Sequence, residues 1–151
     1  MAAIVKRSIE ISAPPWRVWE ILTKPQYTSR WAPEFGAAGP IESDWRLGSL
    51  VSWRNEQGEV YVSGRVTDVQ PLQVLRFTVR DRNPEMQPTS GSAADDITQT
   101  YMLSTRGDRT LLAIAHGDFS KLAKGEELLP AVAAHWERLL AKLKALAEEK
   151  D

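Results

Sequence analysis

The chain has 151 residues, 42% hydrophobic and 26% charged, a length and balance suited to one globular domain spanning 1–151 with a real core. Its formal net charge of -1, with both signs dispersed, gives no electrostatic reason to expect nucleic acid or an anionic membrane surface. There is no cysteine for disulfide or thiolate chemistry, no apolar signal core and no run near about 18 apolar residues, so a soluble cytoplasmic domain without membrane insertion is expected.

Ala3 to Ser12 alternates as a strand does, Val5, Ile9 and Ile11 against Lys6, Ser8 and Glu10, with Arg7 on the apolar side as the one irregularity. Ser12 offers an N-cap, Pro14 and Pro15 suit a first turn, and Pro15 to Thr23 reads as a short helix with Val18, Trp19 and Leu22 along its buried edge. Lys24-Pro25 breaks it, and Gln26 to Trp31 adds one more helical turn before a Pro/Gly/Ala loop to about Pro40.

The period then changes to two. Gly48 to Asn55 places Val51 and Trp53 on one face, and Glu56-Gln57-Gly58 makes a hairpin turn. Glu59 to Val69 sets Val60, Val62, Gly64 and Val66 against Tyr61, Ser63, Arg65 and Thr67; Gln73 to Arg82 follows with Leu75, Phe77 and Val79. Residues 83–94 (NPEMQPTSGSAA) form a polar loop, readable either as a lid or as a disordered stretch. Asp96 to Thr105 presents Gln99, Tyr101 and Leu103, and after the Arg106-Gly107-Asp108 turn, Arg109 to Phe119 presents Leu112, Ile114 and His116.

The last stretch, Glu126 to Glu149, carries Leu129, Val132, Trp136, Leu139, Leu143 and Leu146 at alternating steps of three and four, one stripe of a helix about 30 Å long. Pro130 belongs in a first turn, so the helix is expected to start close to it. Strands joined by hairpin-length links make an antiparallel sheet with one face to cover, and the terminal helix is the obvious cover. The fold class is therefore α+β: an antiparallel sheet of six or seven strands against a long C-terminal helix, with two short helices after the first strand.

In this order the chain resembles the START-related helix-grip superfamily, and within it the proteins resembling the C-terminal domain of the activator of the heat-shock-protein-ninety ATPase. The resemblance rests on Ala13-Pro14 with Val18-Trp19 and Leu22, then Trp31, Asp44 and Gly48 leading into Val51 and Trp53. It continues through Gly64-Arg65-Val66, Pro71, Leu75-Arg76-Phe77-Thr78, Thr110 to His116, and His135-Trp136 with Leu139 and Leu143. Gly48-Ser49 stands where the family more often pairs glycines, and His135 where glycine is common. The resemblance implies a curved sheet and a cavity between it and the terminal helix, holding lipophilic or aromatic molecules in many members. Other members are polyketide cyclases, hydroxylase modules or chaperone regulators.

The residues assigned to that cavity are Trp31, Trp53, Phe77, Tyr101 and Trp136 as walls, with His116 and Arg7 as polar contacts. Each has a plainer reading beside it. Aromatic rings fill cores, and Trp19 is read as core. A histidine on the apolar face of a strand is more often a satisfied core residue than an acid–base, and His135, at the flank of the stripe, is placed at the surface or rim. Arg7 either anchors an acidic ligand, pairs with a carboxylate such as Asp81 or Glu59, or snorkels to water, the last being favoured.

Two distant histidines leave no metal-ligand spacing, and no nucleophile elbow, phosphate loop or dinucleotide fingerprint is present, so no cofactor is expected. Three functions follow in order of preference: non-enzymatic binding of a small lipophilic or aromatic molecule; a cyclase- or hydrolase-type enzyme using His116; and a chaperone ATPase regulator acting by protein contact. The third is weakened by the expectation that the additional N-terminal domain of such regulators is missing here.

Overall fold

The computed structural model describes residues 2–149; Met1, Lys150 and Asp151, the ends of the expected 1–151 span, lie outside the described residues. In chain order it contains β1 (Val5–Ile11), α1 (Pro15–Thr23), α2 (Pro25–Trp31), a 3-10 turn (Ala32–Phe35), β2 (Leu50–Arg54), β3 (Val60–Gln70) and β4 (Val74–Asp81). Two 3-10 turns (Pro84–Met86 and Ala93–Asp95) lead to β5 (Ile97–Arg106) and β6 (Arg109–Gly117), and a last one (Phe119–Lys121) to α3 (Gly125–Ala147). The six strands form one open antiparallel sheet in the order β1-β6-β5-β4-β3-β2. The first strand is thus brought beside the last, the one pairing in this meander that no hairpin makes.

Period-two alternation puts Leu75 and Phe77 of β4, Tyr101 and Leu103 of β5, and Leu112 and Ile114 of β6 on the inward face, each no more than 7% exposed. Against them lies α3, whose Trp136, Leu139, Leu140, Leu143 and Leu146 are buried. Each such leucine contributes about 1.5–3 kcal/mol by leaving water. α1 and α2 close the side with Val18, Ile21, Leu22, Thr28 and Trp31. The far end of α3 is fixed by Arg17, which donates to the Leu146 and Ala147 carbonyls at 3.3 and 3.4 Å and to the Tyr27 hydroxyl at 2.8 Å.

Three local expectations are corrected. α3 begins at Gly125, so Pro130 lies inside it rather than at its start. Pro130 is exposed, and the carbonyl it leaves without an N–H partner, that of Glu126, sits in the first turn where water can serve it. The early start is set by Gly125, buried against the Phe119 turn: a Cβ there would meet the Phe119 carbonyl oxygen at 1.5 Å. Ser12 does not cap α1; Pro14 is the cap residue, and the Ser12 N–H donates instead to Glu148 Oε2 at 2.7 Å. Tyr61 leaves the outward row because β3 bulges there, Trp53 pairing with Val62 and Arg54 with Val60, which frees the intervening residue to turn inward.

Residues 83–94 form a loop held by its own hydrogen bonds and two 3-10 turns. The Asn83 and Ser92 side chains accept N–H groups two residues on, and Gln87 Nε2 donates to the Asp81 carbonyl. The Thr89 N–H reaches the Lys121 carbonyl at 2.9 Å, tying this loop to the turn that precedes α3. No helix among the described residues is long and apolar enough to cross a membrane.

Candidate functional site

The stripe on α3 is not buried evenly. From Trp136 to Ala147 it is packed solid, whereas Leu129, Val132 and His135 are only half-buried. The half-buried stretch faces open space of about 280 Å³. Its floor is the inward row of the sheet, with Val62 of β3, Val79 of β4, Ile97 and Gln99 of β5, and His116 of β6. Its sides are Phe35, Trp53 and Tyr61 on one hand and Val132 and His135 of α3 on the other, with the exposed Ala131 on the rim. Met86, Phe119 and Leu122 close the mouth, where Phe119 and Leu122 form a small hydrophobic cluster of their own with Ala3 and Ile97.

Of the seven residues assigned from sequence, Trp53 and His116 line this space. Trp31, Phe77, Tyr101 and Trp136, none more than 2% exposed, stand behind it as packed core. The Trp31 indole N–H donates to the Ile21 carbonyl at 2.7 Å; Phe77 stacks on Tyr101 at 6.1 Å, and Trp136 meets Tyr101 edge-on at 6.0 Å. Arg7 is elsewhere. It is exposed, donates to the Lys6 carbonyl, and lies 3.7 Å from Glu137, a partner neither Asp81 nor Glu59 supplies: Glu59 pairs with Arg82, and Asp81 accepts the Asn83 N–H.

His116 is the polar centre. Its Nδ1 accepts the Trp136 indole N–H at 2.9 Å, so the neutral ring carries its proton on Nε2. The ring packs edge-on to Phe119 at 4.9 Å and to Trp136 at 5.7 Å. Burial pushes its pKa down to about 3, helped by the neighbouring His135. His135, expected at the surface or rim, is half-buried in the wall, 4.8 Å from the Phe35 ring, and its pKa is also lowered, by burial first and by Arg138 second. Tyr61 donates its hydroxyl to the Phe35 carbonyl at 2.6 Å, and burial raises its pKa.

Among the described residues, two buried side-chain polar atoms have no hydrogen-bond partner, Trp53 Nε1 and His135 Nε2, and both belong to this wall. Native interiors leave few such atoms, so finding both here singles the region out. Phe35, Tyr61, Met86, Gln99 and His135 were not assigned to the site from sequence. Phe35 and Met86 lie in irregular segments without a period, Tyr61 is turned by the bulge, and Gln99 is a polar residue in an apolar row, the one visible signal passed over.

A six-stranded antiparallel sheet packed on one long C-terminal helix, with an aromatic-walled cavity beside the helix's N-terminal half, defines a helix-grip domain. Residues 12–148 match the model for the Activator of Hsp90 ATPase homolog 1-like proteins, and the chain belongs to that family. No curated protein matches it at a significant level. Among solved structures it is similar to a Mesorhizobium loti protein (20% identity, 98% of each chain covered, TM-score 0.74) and to the Aha1 dimer from Colwellia psychrerythraea (19% identity, 99% of each chain, TM-score 0.73). It is also similar to DynU16, a protein in the dynemicin biosynthetic locus, at 18% identity and TM-score 0.74, covering 98% of this chain and 48% of that one.

Proposed function

We propose that the protein binds a small lipophilic or aromatic molecule in the cavity beside the N-terminal half of α3. The observation that carries this reading is an open-mouthed cleft of about 280 Å³ walled by aromatic rings beside the packed core. Other surface clefts are of similar size, so what sets this one apart is its apolar, aromatic lining, and its volume lies close to the size of about 300 Å³ at which small-molecule sites begin. Trp53 and His116 are proposed as direct contacts, with Trp31, Phe77, Tyr101 and Trp136 holding the wall from behind. An acid–base role for His116 is less well supported: with a pKa near 3 and Nε2 protonated, the ring is a hydrogen-bond donor at neutral pH rather than a base.

The test is calorimetric titration with one- and two-ring aromatics, alongside native mass spectrometry of the purified protein. Val132→Trp places an indole in the cavity and is expected to abolish binding while leaving the thermal midpoint within a few degrees. If no aromatic binds and nothing is carried, or if the tryptophan variant binds as well as the parent, the reading is wrong. The family description supports a second reading, contact with a heat-shock ATPase. A pull-down with that chaperone, unaffected by Val132→Trp, would favour it.

A further inference from the structure

Gln99 and His116 face each other directly across β5 and β6, on the inward face of the sheet, where such partners hold their Cβ atoms about 5 Å apart. Both line the cavity. Gln99 is 3% exposed, and its Oε1 accepts the Tyr101 hydroxyl at 3.3 Å. In the structure the amide oxygen lies toward Tyr101, and the N–H2 end has no protein partner among the described residues. His116 is fixed by the Trp136 indole, which occupies Nδ1 and leaves Nε2–H as the free end. Two neutral donors therefore stand side by side on the floor, each set against a core aromatic behind it, with the unpaired Trp53 Nε1–H a third donor in the wall. No lysine or arginine lines the cavity, and its one ionisable acid, Asp81, already accepts the Asn83 N–H.

This inventory selects among ligand chemistries. A carboxylate would enter without a counter-charge and beside Asp81. An amine would set donors against donors. A hydrocarbon would shut both donors away from water without pairing them, the costly case for a polar group. An uncharged acceptor with two lone pairs on one atom satisfies both donors at once.

We propose that Gln99 and His116 form a two-donor clamp for a carbonyl oxygen, so that the cavity prefers a planar aromatic ketone, aldehyde or quinone to a hydrocarbon, amine or carboxylate of the same outline. This rests on the ligand-binding reading above and adds the class of ligand. Sites built to hydrogen-bond a group reject analogues that lack it far more strongly than apolar pockets reject a missing methylene.

The probes are 2-acetylnaphthalene, 2-isopropenylnaphthalene, which replaces the carbonyl oxygen with a methylene in nearly the same shape, and 2-naphthoate. The ketone is expected to bind the full chain about tenfold or more tightly than the alkene, since each tenfold corresponds to about one such contact. Its carbonyl stretching band should move to lower wavenumber on binding, a readout in the parent protein that needs no variant. Gln99→Met keeps the length of the side chain and removes the donor; His116→Phe removes the other. In each, the ratio of ketone to alkene affinity should fall toward one. Equal binding of ketone and alkene with an unshifted carbonyl band, or tighter binding of naphthoate, overturns the clamp and leaves the ligand-binding reading standing. Failure of every probe to bind overturns both.

Discussion

Acidification tests the burial of His116 directly. The folded ring holds its pKa at about 3, against an ordinary value near 6.5. Between those limits the unfolded chain binds a proton that the folded chain refuses, so stability falls as pH drops from about 6.5 and the loss is complete only below about 3. At about 1.36 kcal/mol per pH unit, going from pH 7 to pH 5 removes about 2 kcal/mol. The chain has two histidines and His135 is shifted the same way, so it adds to the fall. The carboxylates of Glu59, Asp118, Glu148 and Glu149 are all held below their usual range and titrate under this window. Urea unfolding followed by tryptophan fluorescence at pH 7, 6 and 5 measures the slope. His116→Phe should start less stable, because the Trp136 N–H loses its acceptor, about 1–3 kcal/mol. Its pH dependence should nonetheless be shallower by about 2 kcal/mol across the window. Parallel profiles for parent and variant, or an NMR titration of His116 near 6.5, would refute the assignment of a neutral, desolvated ring.

Gly64→Ala would bring a Cβ to 1.7 Å from the Thr78 carbonyl oxygen, a backbone atom that cannot move aside without parting β3 from β4. A loss of about 3 kcal/mol or more is expected in the urea midpoint. Gly125→Ala, meeting the Phe119 carbonyl oxygen at 1.5 Å, should act locally: hydrogen exchange in the first turns of α3 should speed up more than the global stability falls. Arg17→Ala strips the Leu146 and Ala147 carbonyls of their donor and should cost about 1–3 kcal/mol by chemical denaturation. Arg7→Gln is the contrasting case: exposed and 3.7 Å from an exposed Glu137, it should change stability by less than about 0.5 kcal/mol.

The regular elements were legible because their periods are. Val51 and Trp53, Leu75 and Phe77, Leu112 and Ile114 recur at two and all reach the core, and the α3 stripe recurs at three and four. The helix start is not legible from Pro130, because it is set by the close approach of Gly125 to Phe119, which no local pattern reveals. The site was less legible for a related reason. Its walls come from segments far apart in the chain: the 3-10 turn after α2, the bulge at Tyr61, the loop carrying Met86 and the turn at Phe119. None of these has a period, and one is a departure from a period. The sequence pattern therefore favoured large aromatics on regular elements, and four of those five fill the core behind the cavity rather than face it.

Trp136 joins the two halves of α3 and explains why such core residues still matter to the site. It is wholly buried and ends the packed half of the helix, while the next residue toward the N-terminus, His135, stands in the cavity wall. Its indole N–H needs an acceptor, since a buried donor left unpaired costs as much as a lost hydrogen bond. The nearest satisfied arrangement gives it His116 Nδ1. That one contact forces the proton of the neutral imidazole onto the opposite nitrogen. The Tyr101 hydroxyl in turn donates to the Gln99 amide oxygen, leaving the N–H2 end toward the cavity. The polarity of the cavity floor is therefore set from behind, by two core aromatics, and the donors it offers are a consequence of how the interior satisfies its own hydrogen bonds.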